Sequence, residues 1–215
     1  QTQEKNLKAK LAIKEGRLWE YVGNRTRIHP KLWDSFIHLA ENEHLFENKN
    51  ARFKNKGMFF SSFPDNRRPE VFLVLDKIKD FLMKNKKKTI IILPLTQQRP
   101  LFYNNKLLKR LGEVNIDKVL IGYIIPPFGF IPHQLTDIYP ISQMEISENM
   151  HNETNTIKQT VKFIEMQFKI INPEHVYLIK SELLDAKITK FIMDEYTPKK
   201  ILENTEEITN EIFGM

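Results

Sequence analysis

The chain has 215 residues, 41% hydrophobic and 28% charged, a composition that suits a globular fold with a proper core. It contains no cysteine, which excludes disulfides, thiolate metal sites and a cysteine nucleophile within these residues. A net charge of +6 admits RNA, DNA or an anionic membrane surface as partner, and it equally fits a lysine-rich protein with no nucleic-acid role.

In chain order, the spacing of Leu7, Leu11, Leu18, Trp19 and Val22 predicts a helix over residues 4–22. Pro30 suits the first turn of a second helix that carries Leu32, Trp33, Phe36, Ile37 and Leu39. Residues 47–57 are rich in Lys and Asn and read as a loop, followed by a short strand at Met58, Phe59 and Phe60 and a turn over 63–66. Pro69 opens a helix running to residue 86, with Val71, Leu75, Ile78 and Leu82 as its buried stripe. Residues 89–94 are a continuous apolar run rich in β-branched side chains, as expected of a strand buried on both faces. There follow a helix over 102–111, a strand over 119–125, a third, shorter strand over 138–146, a long helix over 154–171 stopped by Pro173, and a strand over 175–180. Residues 187–196 read as either helix or strand, and 199–213 as a terminal helix.

This alternation from Pro69 onward predicts an α/β fold: a three-layer, mostly parallel sheet with helices on both faces, preceded by a small helical segment. The division is 1–68 for the helical segment and 69–215 for the α/β module. The apolar runs near 89–94 and 119–130 are too short, and too broken by Pro and Gly, to span a bilayer. No signal sequence is visible at the start, so a cytoplasmic location and no membrane partner are expected.

Ligands of parallel sheets gather at the carboxyl ends of strands, here the loops that begin at Pro94, Pro126 and Lys180. The first loop holds Pro94, Thr96, Gln97, Gln98, Arg99, Pro100, Tyr103 and Asn104. Arg99 is suited to clamp a phosphate through two parallel hydrogen bonds, and the other reading is an ordinary polar loop. The second loop holds Pro126, Pro127, Phe128, Gly129, Phe130, Pro132 and His133. Phe128 and Phe130 either stack on a base or plug the core, and His133 is either an acid, base or phosphate contact or a structural histidine. Lys84, Lys86, Lys87, Lys88, Lys106, Lys109 and Arg110 bracket the first strand and its loop and are the RNA-contact candidates. The six histidines show no metal-ligand spacing, no cofactor motif is present, and no Gly-rich phosphate loop, His-Glu-x-x-His or Gly-x-Ser-x-Gly motif occurs.

At these two loops the sequence resembles the C-terminal α/β module of the archaeosine synthase family, paralogues of archaeal tRNA-guanine transglycosylase. In the second loop Pro127, Gly129, Pro132, Leu135, Tyr139 and Pro140 match the family pattern in order and spacing. Gly16-Arg17-Leu18-Trp19-Glu20, Arg27, His29-Pro30, Phe59-Phe60 and Arg68-Pro69-Glu70-Val71 are similar to the helical segment that precedes the module. The likeness spans residues 10–180. It implies a fold like that of uracil-DNA glycosylases, tRNA as partner, and a transglycosylase barrel before and an RNA-binding module after, neither of which is recognised in these residues.

The first loop departs from the family. Its motif runs Pro-Cys-x-x-x-Lys-Pro-Tyr-x-x-Ser-x-x-His, and the aligned positions here are Pro94, Leu95, Arg99, Pro100, Leu101, Asn104 and Leu107. The family reaction joins the amine of lysine to a nitrile on a 7-deazaguanine of tRNA, a step that needs proton transfer near the nitrile carbon. The reading is therefore a diverged, tRNA-binding or accessory homologue, with tRNA or a modification-enzyme subunit as partner. One alternative is an active lysine-transferring enzyme using Thr96, Arg99 and His133. A second is a nucleobase- or DNA-binding protein that shares the glycosylase-like fold alone.

Overall fold

The computed structural model describes residues 2–42, 57–95, 119–179, 184–196 and 199–202, the last four by backbone alone. The expected first helix is two helices, α1 (Thr2–Lys14) and α2 (Leu18–Thr26). Gly16 divides them. It takes φ of 69°, a left-handed conformation that favours glycine, while Gly16 N–H donates to Ile13 O and Arg17 N–H to Ala12 O. That bond pair is the Schellman closure of a helix end. Leu7 and Leu11, expected on a buried stripe, stand 68% and 52% exposed; Ala12 is the buried residue of α1.

Helix α3 (Pro30–Glu41) begins where Pro30 predicts. His29 caps it, its Nδ1 accepting from Lys31 N–H at 3.2 Å. Phe36 of α3 is buried against Trp19 of α2 at 4.9 Å between ring centroids. Phe36 also lies 3.6 Å from where a side chain on Gly23 would sit.

Strand β1 (Met58–Phe60), a 3-10 turn at Phe63–Arg67 and helix α4 (Pro69–Lys84) lead into the main sheet. Val71, Leu75, Ile78 and Leu82 are all buried, as the spacing predicts. The sheet has five strands in the order β4–β3–β2–β6–β7. They are β2 (Thr89–Leu93), β3 (Val119–Ile125), β4 (Gly129–Pro132), β6 (His175–Ile179) and β7 (Lys199–Leu202). β2, β3, β6 and β7 run parallel, and β4 folds back antiparallel on β3 at the edge. Every residue of β3 is buried, as the apolar run implies.

Three expectations need correction. β4 was not expected as a strand: it has four residues and a proline, which only an edge position tolerates. The strand expected over 138–146 is confined to β5 (Met144–Ile146), after a 3-10 turn at Ile141–Gln143, and it pairs in parallel with β1 as a separate two-stranded sheet, Met58 facing Met144. Residues 199–202 do not open a terminal helix. They extend beside β6 as β7, Val176 facing Lys199, because an open strand edge offers four backbone groups a ladder that outweighs local helical spacing. Residues 203–215 of that expected helix, and the expected helix at 102–111, lie outside the described residues.

After β5 come the short helix α5 (Glu148–His151) and the long α6 (Thr154–Ile171), which ends at Asn172 with φ of 53°. The 187–196 segment is helix α7 (Ala186–Glu195), capped by Asp185 Oδ1, which accepts from Lys187 N–H at 2.7 Å. The crossovers β3-α6-β6 and β6-α7-β7 step in one direction along the sheet, so right-handedness puts α6 and α7 on the same face. α6 packs there against β4, α4 and α7.

Candidate functional site

Strands β2 and β3 are neighbours, with Leu93 beside Tyr123, so the loops that begin at Pro94 and Pro126 both leave the carboxyl edge of one sheet. The sheet reverses its winding at β2, whose neighbours β3 and β6 are both reached by crossovers, and this is the switch point where parallel sheets open a crevice. Pro94 and Leu95 are half-buried there. Leu95, Ile124, Ile179 and Leu184 come together at the same edge in an apolar cluster with no room for a ligand. Thr96, Gln97, Gln98, Arg99, Pro100, Tyr103, Asn104, Lys106, Lys109 and Arg110 lie outside the described residues.

The second loop is a tight, dry turn. Phe128 N–H donates to Ile125 O at 2.8 Å, and the Pro126–Pro127 and Tyr139–Pro140 bonds are cis. Gly129 has φ of 80°, and a Cβ there would come within 2.6 Å of Gln167 Oε1 and 3.0 Å of Ile164 N, so both conformation and space require glycine. Gln167, buried on α6, spans the turn: its Nε2 donates to Phe128 O at 2.9 Å and its Oε1 accepts from Phe130 N–H at 2.7 Å. Two backbone groups that water cannot reach are thereby satisfied. Pro126, Pro127, Gly129 and Pro132 are buried with it.

Phe128 and Phe130 are 0% exposed. Phe128 meets Phe60 edge-on at 6.1 Å and Phe130 meets Phe168 at 5.5 Å. Both rings therefore occupy the core position of the two that the sequence allows; neither stands open for a base.

His133 is carried away from the carboxyl edge. β4 runs backward along β3, Gly129 facing Ile125 and Pro132 facing Gly122, so His133 stands about 10 Å down the sheet from Ile125. There the Tyr123 hydroxyl and His133 Nδ1 lie 3.4 Å apart, sharing a hydrogen bond. Burial pushes the Tyr123 hydroxyl up to about 12, so it holds its proton. Burial also holds the His133 imidazole below its ordinary value, against the opposing pull of Asp137. A neutral imidazole suits an acid, a base or a structural partner better than a phosphate contact.

The lysine run is also displaced from the loops. Lys86, Lys87 and Lys88 precede β2 and sit at the amino end of the sheet, one strand length of about 16 Å from Pro94. Lys88 Nζ pairs with Glu174 Oε1 at 2.6 Å. Of the basic residues expected to bracket the first strand and its loop, Lys86, Lys87 and Lys88 therefore stand at the opposite end of the strand from that loop.

One polar cluster could not be read from the sequence. Arg68 is 1% exposed at the seam between the N-terminal helices and the α/β module. Its Nη2 donates to Glu20 Oε1 at 2.6 Å, Nη1 lies 3.9 Å from Asp65 Oδ1, and Nε lies 3.7 Å from Glu70 Oε2. Asp65 Oδ2 also accepts from Ser61 and Ser62 N–H, each at 3.0 Å. The Tyr139 hydroxyl is pushed up to about 12 by burial first, then by Glu70, with Arg68 opposing. Glu20, Arg68, Glu70 and Tyr139 all belong to the matched segments, yet up to 119 positions separate them in the chain (139 − 20), and no spacing rule brings them together.

No family model matches the chain and no solved structure matches it. Curated proteins do. A tRNA-guanine(15) transglycosylase of Saccharolobus solfataricus is 27% identical over 83% of this chain and 35% of its own length. One of Methanocaldococcus jannaschii is 29% identical over 78% of this chain and 24% of its own. One of Methanococcus vannielii is 27% identical over 90% and 27%. The chain thus spans between about a quarter and a third of the length of the relatives it matches. Among the described residues no helix is long and apolar enough to cross a membrane. Sequence likeness over most of its length therefore relates this chain to a tRNA-modification family, that of the tRNA-guanine(15) transglycosylases.

Proposed function

We propose that the chain is a diverged tRNA-binding or accessory homologue of archaeosine synthase, acting in archaeosine-type tRNA modification in the cytoplasm with tRNA or a modification-enzyme subunit as partner. The observation that carries this reading is the likeness to tRNA-guanine(15) transglycosylases over 78% to 90% of the chain. A uracil-DNA-glycosylase-like, three-layer fold is part of the proposal. Its support is the spatial order of the four parallel strands, with the second beside the first and the third and fourth on the first strand's other side.

An accessory role is favoured over catalysis by the chemistry at the carboxyl edge. The aligned first loop has Leu95, Leu101, Asn104 and Leu107 where the resembling family has Cys, Tyr, Ser and His. Arg99 stays protonated at neutral pH and holds an anion rather than moving a proton. His133, the one imidazole expected to serve Thr96, is turned toward Tyr123 just past the far end of β4. Loss of a positioned acid or base costs on the order of 100- to 10,000-fold in rate. The test supplies radiolabelled lysine and nitrile-bearing tRNA to the purified chain and measures tRNA binding alongside. We expect binding without label in the tRNA. Label that vanishes in Thr96→Ala or His133→Ala would establish the enzymatic reading instead.

A further inference from the structure

Helices α4 and α6 leave between them an open groove of about 660 Å³. Phe72 of α4, Phe163 and Met166 of α6 and Phe63 of the turn before α4 give it apolar walls. Four cations, Arg67, Lys79, Lys158 and Lys162, line it against two carboxylates, Glu41 and Asp76. None of the four is ion-paired among the described residues. Some cations elsewhere are neutralised by the fold: Lys8 pairs with Glu4, Arg68 with Glu20, Lys88 with Glu174 and Lys169 with Glu165.

Helix α6 carries both kinds. Lys169 has its carboxylate one turn away, whereas Lys158 and Lys162 face one another one turn apart with like charge, an arrangement that disfavours the helix. Arg67 lies over the Phe63 ring at 5.7 Å, and its Nε is buried with no acceptor among the described residues. The turn that presents it is fixed to α6, because Asn66 Nδ2 donates to Thr156 Oγ1 at 2.9 Å and Gln159 Nε2 to Asn66 O at 3.2 Å. The groove also adjoins the second loop: Phe163 Cβ is 3.1 Å from the position a side chain on Gly129 would take.

We propose that this groove binds RNA, its cations holding consecutive phosphates and its phenylalanine walls receiving bases. Unpaired cations answer a polyanion, and the half-buried rings of Phe63, Phe72 and Phe163 beside them offer apolar surface to bases, the combination that single-stranded nucleic acid requires. The rise of about 6 Å from Lys158 to Lys162 is of the order of the step between phosphates along a strand. The inference rests on the tRNA reading above and moves its contact surface from the lysine run before β2 to the face formed by α4 and α6.

The experiment measures binding of a labelled, unmodified tRNA transcript to the 215-residue chain by anisotropy, from low to moderate salt. Lys158→Ala/Lys162→Ala is compared with Lys8→Ala/Lys169→Ala, whose lysines are already paired, and with Lys86→Ala/Lys87→Ala. Circular dichroism melts confirm that each variant is folded. The groove variant is expected to lower the slope of log Kd on log salt by about two, one for each phosphate that no longer meets a lysine. The Lys8/Lys169 variant should leave the slope unchanged. If wild type binds and the groove variant matches it, or if Lys86→Ala/Lys87→Ala takes the whole effect, the groove inference fails while the tRNA reading stands. If wild type binds no tRNA, the tRNA reading fails. Polyaspartate that competes as well as RNA would assign the groove to an acidic protein.

Discussion

Arg67 and Arg68 are adjacent in the chain and opposite in circumstance. Arg68 is enclosed at the seam with three carboxylates within 4 Å, Glu20, Asp65 and Glu70. Arg67 stands on the wall of the α4–α6 groove over Phe63, with no carboxylate paired to it among the described residues. The pair teaches that a count of charges says little about function. What separates a structural cation from an available one is whether the fold itself neutralises it.

The largest effect should come from the enclosed arginine. Arg68→Ala leaves Glu70, 4% exposed, and Asp65 facing the seam without their cation, and breaking a buried pair in this way costs about 3–5 kcal/mol. Urea denaturation is expected to show a lower midpoint of that size. A change under about 1 kcal/mol would mean that water reaches the carboxylates, and the contrast between the two arginines would collapse.

Next in size is the turn of the second loop. Gln167→Leu would strand Phe130 N–H and Phe128 C=O, each worth about 1–3 kcal/mol when buried without a partner. Gly129→Ala forces a non-glycine residue to φ of 80° and a close approach to Ile164 N, a cost of about 1–3 kcal/mol. Hydrogen exchange should quicken at Phe128 and Phe130 in either variant. Unchanged protection would show that the loop is held by its prolines and packing instead.

Much of this architecture was legible in sequence, and the failures have physical causes. The stripe of α4, the length of α6 and strands β1, β2, β3 and β6 follow from periodicity and from Pro69 and Pro173 as boundaries. The split at Gly16 was missed because a left-handed glycine cap inside a helical pattern changes backbone direction without interrupting the apolar spacing. β7 was missed because its pairing with β6 is non-local, and no window around residue 200 contains the strand it joins. At the site, the positions of Pro94 and Pro126 on adjacent carboxyl ends followed from the two apolar runs. The return of β4, which takes His133 away from them, did not. The cluster around Arg68 and the groove beside Arg67 both depend on contacts between segments far apart in sequence.

A smaller effect is expected from pH. His133 and His151 are both held below the ordinary histidine value of 6.5, in each case chiefly by burial. The folded chain therefore binds their protons less readily than the unfolded one does. Stability is fully present above 6.5 and falls as pH drops through that value toward the folded values. This window lies above that of Glu4 and Glu174, whose lowered values place their loss below 4.5. Thermal melts between pH 7.5 and 5 should show the decline, and His133→Gln with His151→Gln should flatten it. A curve equally steep in the double variant would assign the decline to other groups.

The smallest expected change in stability belongs to Arg67, and it is the most informative about the comparison. Arg67→Ala removes a stack on Phe63 worth about 0.5–1 kcal/mol at a partly exposed site, and it strands no carboxylate among the described residues. Urea midpoints should shift by no more than that, several-fold less than for Arg68→Ala. RNA affinity should behave in the reverse order. Arg67→Ala should lower the salt slope of tRNA binding by about one, since one phosphate is left without its cation. The charge-preserving Arg67→Lys should keep most of the slope while losing the planar stack on Phe63. Should Arg67→Ala destabilise the fold as much as Arg68→Ala while leaving the salt slope intact, Arg67 would be a second structural arginine. The unpaired cations of the groove would then owe their arrangement to folding rather than to a ligand.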